Sequence, residues 1–319
     1  MKAATLFGKP LPDGGTIGVC APASPFENRS EILRGVEWWE QQGYRVKLAD
    51  GVWDRQAYVA GDAKSRARDL VAMFADPEVD VVQCLQGGVG SAQTIPYLDF
   101  EVIAANPKAL CGYSDITALH IAVRQRTGLA TIQSNGLRGM GWNETPQFNK
   151  DRLLEVLRTG GVGEVPRDPD DPYVRAIRGG TATAPLVGGN LWLIAHGMGT
   201  PYEIDAEGCI LFFEAVEQPP WVIDVQLTQL SHAGKLANVA GVVVGECHRC
   251  DWREERPEWP RTKSLEDVLE EHLEPLGVPV LYKLPLGHGK YHAAIPLGVS
   301  YTLDADSNTL RAEEPALRG

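Results

Sequence analysis

Long apolar runs are missing from this chain. The most apolar windows, such as Gly241-Val242-Val243-Val244-Gly245, are short and end in glycine or charge. None approaches the roughly 18 residues of a membrane span. The opening MKAATLFGKPLPDGG has no stretch resembling the apolar core of a signal peptide. The expectation is a soluble, cytoplasmic protein with no membrane partner. Basic residues are the scarcer charge, 30 Lys and Arg against 42 Asp and Glu, for a net of −12. A nucleic-acid partner needs a basic face, and no Lys/Arg run supplies one.

Cysteine is also sparse. Six are scattered over 319 residues, several inside apolar strand-like runs, where cysteine behaves as a small hydrophobe. That usage suits a reducing compartment better than a disulfide framework. Cys247-His248-Arg249-Cys250 alone has metal-like spacing, and no second pair of ligands accompanies it. The segment reads as a strand end entering a polar loop, and the expectation is no metal and no cofactor. Seven histidines limit the choice of a catalytic base.

What is present is a globular composition, 44% hydrophobic and 23% charged, long enough for two domains of ordinary size. The first half alternates β-rich runs with amphipathic stretches. Strands are predicted at Thr16–Pro22, Tyr44–Leu48, Asp80–Leu85 and Ala109–Tyr113, with helices at Ile32–Trp39, Ser65–Phe74 and Ile116–Arg124. Such alternation implies βαβ units and a parallel sheet, with ligands bound where loops leave the carboxyl ends of the strands. Residues 137–184 are rich in turn formers and charge, with one helix near Asp151–Leu157, and read as a connection. From 185 to 319 short strands with turns surround helices at Val222–Ala233 and Ser264–Leu273. The expected division is therefore 1–136, 137–184 and 185–319, an α/β fold with a β-rich α/β domain in the second half.

Two loops sit at predicted strand ends. In Gly112-Tyr113-Ser114-Asp115 a serine stands at a sharp strand-to-helix turn, the physics of a nucleophile elbow, although the second glycine of the five-residue motif is absent. From these residues alone, a Ser-Asp pair capping a helix is the commoner use. The loop Gln86-Gly87-Gly88-Val89-Gly90-Ser91 frees backbone amides for phosphate or oxyanion, or forms a plain tight turn; it does not fit a dinucleotide fingerprint. A serine nucleophile needs a base and a group to orient it. His288, flanked by Gly287 and Gly289, is one candidate. His120 reads as packed or capping, and His196, His232 and His272 have no acidic partner suggested. Glu214 ends the apolar run Leu211-Phe212-Phe213, where a carboxylate is costly without a partner; Glu217 and Glu246 read as solvated alternatives.

Taken together these segments resemble the LD-carboxypeptidases and the related microcin C self-immunity peptidases. The resemblance rests on Ile17–Pro25, Tyr58–Gly61 through Arg66, Asp76-Pro77, Gly87-Gly88, Pro96–Asp99, Asn106–Lys108 and Gly112–His120. It continues through Pro185–Leu191, Leu211–Glu214, Leu286–His288 and Ile295–Gly298, all in one order. It implies a Rossmann-like N-terminal domain, a β-rich C-terminal domain, a homodimer and a Ser–Glu–His triad of Ser114, Glu214 and His288. Gly88 and Asp115 would supply oxyanion amides, with Gly87 and Trp221 near the substrate. Gln86 replaces an arginine common in the family's glycine loop, Gln133-Ser134-Asn135-Gly136 replaces Thr-His-Gly-Pro, Ala215 an acidic residue and Trp221 a tyrosine. The chemistry implied is amide hydrolysis through an acyl-enzyme. The substrate is a small peptide such as a murein tetrapeptide releasing C-terminal D-Ala, or a peptidyl- or aminoacyl-nucleotide. A silent ligand-binding homologue is the remaining alternative.

Overall fold

A computed structural model describes residues 4–253, 256 and 263–319; Met1–Ala3 of the opening segment lie outside it. In chain order the first elements are β1 (Thr16–Cys20), α1 (Arg29–Gln41), β2 (Arg45–Leu48), α2 (Ala63–Ala75), β3 (Val81–Cys84), α3 (Ser91–Thr94) and α4 (Phe100–Ala105). Then come β4 (Ala109–Gly112), α5 (Thr117–Thr127), β5 (Thr131–Gln133), α6 (Leu137–Gly141) and α7 (Gln147–Thr159). The remainder is β6 (Gly163–Glu164), β7 (Arg175–Arg178), β8 (Thr181–Asn190), α8 (Leu191–His196), β9 (Ile210–Val216), α9 (Pro220–His232), β10 (Gly241–His248) and α10 (Leu265–Leu273). Four strands follow: β11 (Val280–Gly287), β12 (Ile295–Leu297), β13 (Ser300–Asp304) and β14 (Thr309–Ala312).

The chain forms two compact units: residues 1–162 with 294–298 and 314–319, and residues 163–293 with 299–313. The helices near residues 137–159 belong to the first unit, and β6, β7 and β8 to the second.

The first unit is built on a six-stranded sheet in the order β12-β5-β4-β3-β1-β2, parallel from β5 to β2. Its central strands β1, β3 and β4 are buried along their whole length, as in a sheet covered on both faces, while the edge strand β2 (Arg45-Val46-Lys47-Leu48) is partly exposed. β12 returns from late in the chain to pair antiparallel with β5, Ile295 opposite Gln133; nothing local in that short segment announces its distant partner. α1 and α2 start at Arg29 and Ala63, slightly before the expected Ile32 and Ser65. Asn28 caps α1 by accepting from the Ser30 amide, and Asp62 caps α2 through the amides of Lys64 and Ser65. α1 buries Ile32, Gly35 and Trp39, and the Trp39 indole donates to Gln83 Oε1 at 2.9 Å, so its polar edge is satisfied inside the core. Burial of each large apolar side chain such as Phe74 or Ile17 contributes about 2 kcal/mol.

The second unit carries an eight-stranded sheet ordered β6-β14-β13-β8-β9-β10-β11-β7. Its centre, β8 to β11, is parallel, and α8, α9 and α10 make the crossovers. β13, β14 and β6 extend one side antiparallel, and β7 the other. The second half is therefore rich in strands, yet its centre is wound as βαβ units. α10 begins with a capping box between Ser264 and Asp267, which satisfies two free amides reciprocally. Among the described residues no helix is long and apolar enough to cross a membrane.

Candidate active site

Ser114 stands where β4 ends and the chain turns into α5. Its φ is +62°, in the left-handed region that a serine rarely adopts. Holding a non-glycine residue there costs on the order of 1–3 kcal/mol, so the surroundings must over-determine it. They do so from several sides. Behind the turn, the carbonyl of Gly112 accepts from the Ser134 amide and from Nε2 of His120, both at 2.9 Å. His120 is buried, and burial pushes its pKa down to about 4, so the imidazole is neutral and donates from Nε2. The sequence reading of His120 as a packed side chain holds, with a definite bond added.

In front lies the glycine loop. A Cβ on Gly87 would come within 2.9 Å of Ser114 Cβ and 3.0 Å of the Tyr113 carbonyl, so only glycine permits this approach. The loop is fastened through Asp115, whose Oδ2 accepts from the Ser91 amide at 2.7 Å and whose carbonyl accepts from Ser91 Oγ at 2.5 Å. Burial raises the Asp115 pKa above the usual carboxylate range, against the Ser91 bonds and the Arg66 charge. Arg66 gathers the same region, donating to the carbonyls of Pro22, Gly61 and Gly90 and to Gln93 Oε1. Gly87, Gly88, Ser114 and Asp115, named separately in the sequence, thus form one cluster. Arg66 was not singled out as a functional residue; its burial at 2% exposure marks it only once the fold is known.

The second unit brings together the other two residues. Glu214, at the carboxyl end of β9, is 1% exposed. Its Oε2 accepts from His288 Nδ1 at 2.7 Å, and its Oε1 accepts from Asn190 Nδ2 at 2.9 Å. A carboxylate this deeply buried requires such partners. Asn190 caps α8 and is opposite Glu214 in the β8–β9 register. It belonged to a recognised sequence segment without an assigned role; a buried amide after two glycines was its only local mark. At Gly287 the φ is +135° and a Cβ would meet Glu214 atoms within 3.1 Å, so glycine lets the carboxylate reach the imidazole.

Burial opposes charge on His288, but the attraction and hydrogen bond of Glu214, with Glu246 nearby, outweigh it and raise its pKa. Glu217 pairs instead with Arg249 at 3.1 Å. Glu246, expected to be solvated, is partly buried beside a register shift in β10 and accepts from His248 Nδ1 at 3.1 Å. His272, which lacked an evident acidic partner in the sequence, has one: Asp224 Oδ1 lies 2.8 Å from its Nε2, contributed by α9 across from α10. Trp221 is in the first turn of α9, 55% exposed. Cys247 and Cys250 are buried free thiols at the end of β10, and among the described residues no three His, Cys, Asp or Glu side chains are grouped to hold a metal.

An ion-paired imidazole, a serine on a strained turn and a glycine loop are the parts from which acyl-transfer sites are made. Comparison with known proteins gives the same direction. Residues 17–134 match the LD-carboxypeptidase N-terminal domain and residues 183–303 the LD-carboxypeptidase C-terminal domain. A Bacillus subtilis (strain 168) protein named as a probable murein peptide carboxypeptidase is 34% identical over 312 residues, covering 98% of this chain and 95% of its own. The murein tetrapeptide carboxypeptidase of Pseudomonas aeruginosa is 29% identical, covering 92% and 95%. In fold, the chain is similar to the microcin C7 self-immunity protein MccF solved with aspartyl sulfamoyl adenosine, with a TM-score of 0.89 and 23% identity over 98% of this chain and 100% of that one. This chain belongs to the LD-carboxypeptidase family of serine hydrolases.

Proposed function

We propose that Ser114, Glu214 and His288 form the catalytic triad, and that the enzyme releases the C-terminal residue, D-Ala, from a murein-type tetrapeptide. The observation that carries this reading is the backbone of Ser114, held at φ +62° between His120 behind and the glycine loop in front. A turn that merely capped a helix would have no need of that strain.

In this reading His288 Nε2 takes the proton of Ser114 Oγ as the oxygen attacks the scissile carbonyl. Glu214 keeps the proton on Nδ1 and steadies the imidazolium. The amides of Asp115 and Gly88 receive the tetrahedral oxyanion. His288 then protonates the leaving amine, and water repeats the sequence on the acyl-enzyme. All six cysteines being buried free thiols supports a cytoplasmic setting, where peptides from wall turnover would be recycled. The family resemblance supports a homodimer, and sedimentation at micromolar concentration tests it.

A second reading is an immunity-type amidase cutting an aminoacyl- or peptidyl-nucleotide. It is favoured by the likeness to MccF and by the exposed ring of Trp221, which offers a face to a base. The deciding experiment incubates the enzyme with the tetrapeptide and, separately, with aminoacyl sulfamoyl adenylates, and identifies products by mass spectrometry. Release of D-Ala supports the first reading; turnover of the adenylates alone removes it.

A further inference from the structure

Among the described residues, the guanidinium of Arg138, on the helix tied to the start of the glycine loop, makes no hydrogen bond. Arg138 lies on α6, which the chain enters directly after β5. Its amide donates to the Leu85 carbonyl at 3.1 Å, immediately before Gln86-Gly87. The start of α6 is thereby fixed to the end of β3. The side chain runs between two rings, its guanidinium carbon 4.6 Å from the centroid of Phe26 and 5.1 Å from that of Trp142. Phe26 belongs to the loop after β1, which Gln86 braces by donating Nε2 to the Pro25 carbonyl at 2.7 Å. Gln86 is therefore occupied within the protein, and the guanidinium stands against Phe26 of the loop that Gln86 braces.

The electrostatics of Arg138 are unusual for a structural arginine. Arg66 places four hydrogen bonds on its surroundings. Arg138 places none through its side chain among the described residues. Its ion-pair contact is Glu31, with Nε 3.9 Å from Oε2, beyond hydrogen-bonding distance, and both of those atoms are buried without a partner. The other oxygen of Glu31 is taken by Asn28 at 2.9 Å, with Arg34 a further 3.9 Å contact. The side chain of Arg138 keeps 40% of its exposure. Two aromatic faces hold the planar fork in one orientation, which lowers the entropy lost when it binds, and that fork matches a carboxylate in bidentate fashion.

We propose that Arg138 binds a carboxylate of the peptide substrate, a specificity contact supplied from the β5–α6 connection. This rests on the peptide-hydrolase reading of the Ser114 site. A murein-type tetrapeptide has two candidate carboxylates, one on the departing C-terminal residue and one on the D-glutamyl residue.

The test uses Ser114→Ala protein, which binds without turnover, with and without Arg138→Met, which keeps an unbranched stem between the rings. Calorimetric titration employs L-Ala-γ-D-Glu-L-Lys-D-Ala, its C-terminal amide, and the form whose D-glutamyl carboxylate is an amide. Arg138→Met is expected to weaken the parent peptide about tenfold or more, the worth of a charged hydrogen-bonded pair. It should leave one amide unaffected, and that amide identifies the carboxylate. Equal weakening of all three ligands, unchanged affinities, or no binding by the arginine form overturns the assignment. Turnover of the parent peptide by the native enzyme is measured alongside. Selective binding without turnover counts against the hydrolase reading and leaves Arg138 standing; turnover with unselective binding counts against Arg138 alone.

Discussion

Nδ1 of His288 donates a 2.7 Å hydrogen bond to Oε2 of Glu214, a residue 74 positions earlier in the chain. The bond places a proton on Nδ1 and so fixes the imidazole's tautomer. Because Glu214 favours the charged imidazole more than burial disfavours it, the His288 pKa is raised. The resulting stabilisation is present in full below the unfolded histidine pKa and fades as pH rises through the folded one. In the proposed mechanism catalysis runs the other way, since a general base must be neutral, so kcat/KM should climb through a pKa above the ordinary histidine value.

Glu214→Gln should remove that attraction and let burial dominate, moving the acid limb of the kcat/KM profile to lower pH. The amide can also donate to Nδ1 and select the wrong tautomer, so kcat should fall on the order of 10³- to 10⁴-fold. A profile with an unmoved acid limb would show that Glu214 does not govern His288.

Ser114 carries backbone strain as well as the proposed nucleophile. Ser114→Ala and Ser114→Gly should each lose on the order of 10⁴-fold or more in activity. They should differ in stability, because glycine relieves the strain of φ +62° and alanine does not. Even after glycine's larger unfolded-state entropy, the glycine variant should melt above the alanine one, by about 1 kcal/mol. Equal melting temperatures from scanning calorimetry would mean that the turn is not strained.

Asp115 is expected to act as the clamp of the glycine loop. Asp115→Ala leaves the buried Ser91 amide without its acceptor, which costs about 1–3 kcal/mol, and frees the loop to drift from Ser114. Asp115→Asn keeps an acceptor oxygen in place. The alanine variant should therefore lose both stability and about 10- to 100-fold in kcat, with the asparagine variant close to native. Chemical denaturation and initial rates read the two effects; an asparagine variant as impaired as alanine would point to the charge instead of the bond.

His120 makes the fold sensitive to acid. Its folded pKa is pushed down to about 4, so between the unfolded value and that point the unfolded chain binds a proton the folded one refuses. Stability is thus lost as pH falls, by about 2 kcal/mol at pH 5. His292, pushed down to about 3 by burial and by His288, adds a loss of the same sign. His120→Gln keeps a donor for the Gly112 carbonyl without titrating. Its melting temperature should drop less than the native protein's between pH 7.5 and pH 5; parallel slopes would show that His120 does not drive the loss.

Much of the fold was legible in local pattern. The alternation of apolar strands with amphipathic helices depends on neighbours within a turn or two, and the helices α1, α2 and α10 formed within a few residues of expectation. The pairing of β12 with β5 was not legible, because a three-residue strand has too short a pattern to specify a partner more than 150 residues away. His272 with Asp224 was hidden for the same reason: each is an ordinary surface residue until α9 and α10 pack together.

The sequence by itself determined that a serine sits on a glycine-flanked turn at a strand end, with a glycine loop after the preceding strand, because such turns are written in adjacent residues. Only the tertiary structure decided which carboxylate holds His288. Glu214 was favoured over Glu217 and Glu246 only for its place in an apolar strand, and the order β8-β9-β10-β11 gives it the imidazole and Asn190, while Glu217 pairs with Arg249 and Glu246 with His248. A buried charge is stable only where its partners converge, and convergence is a property of strand order and register.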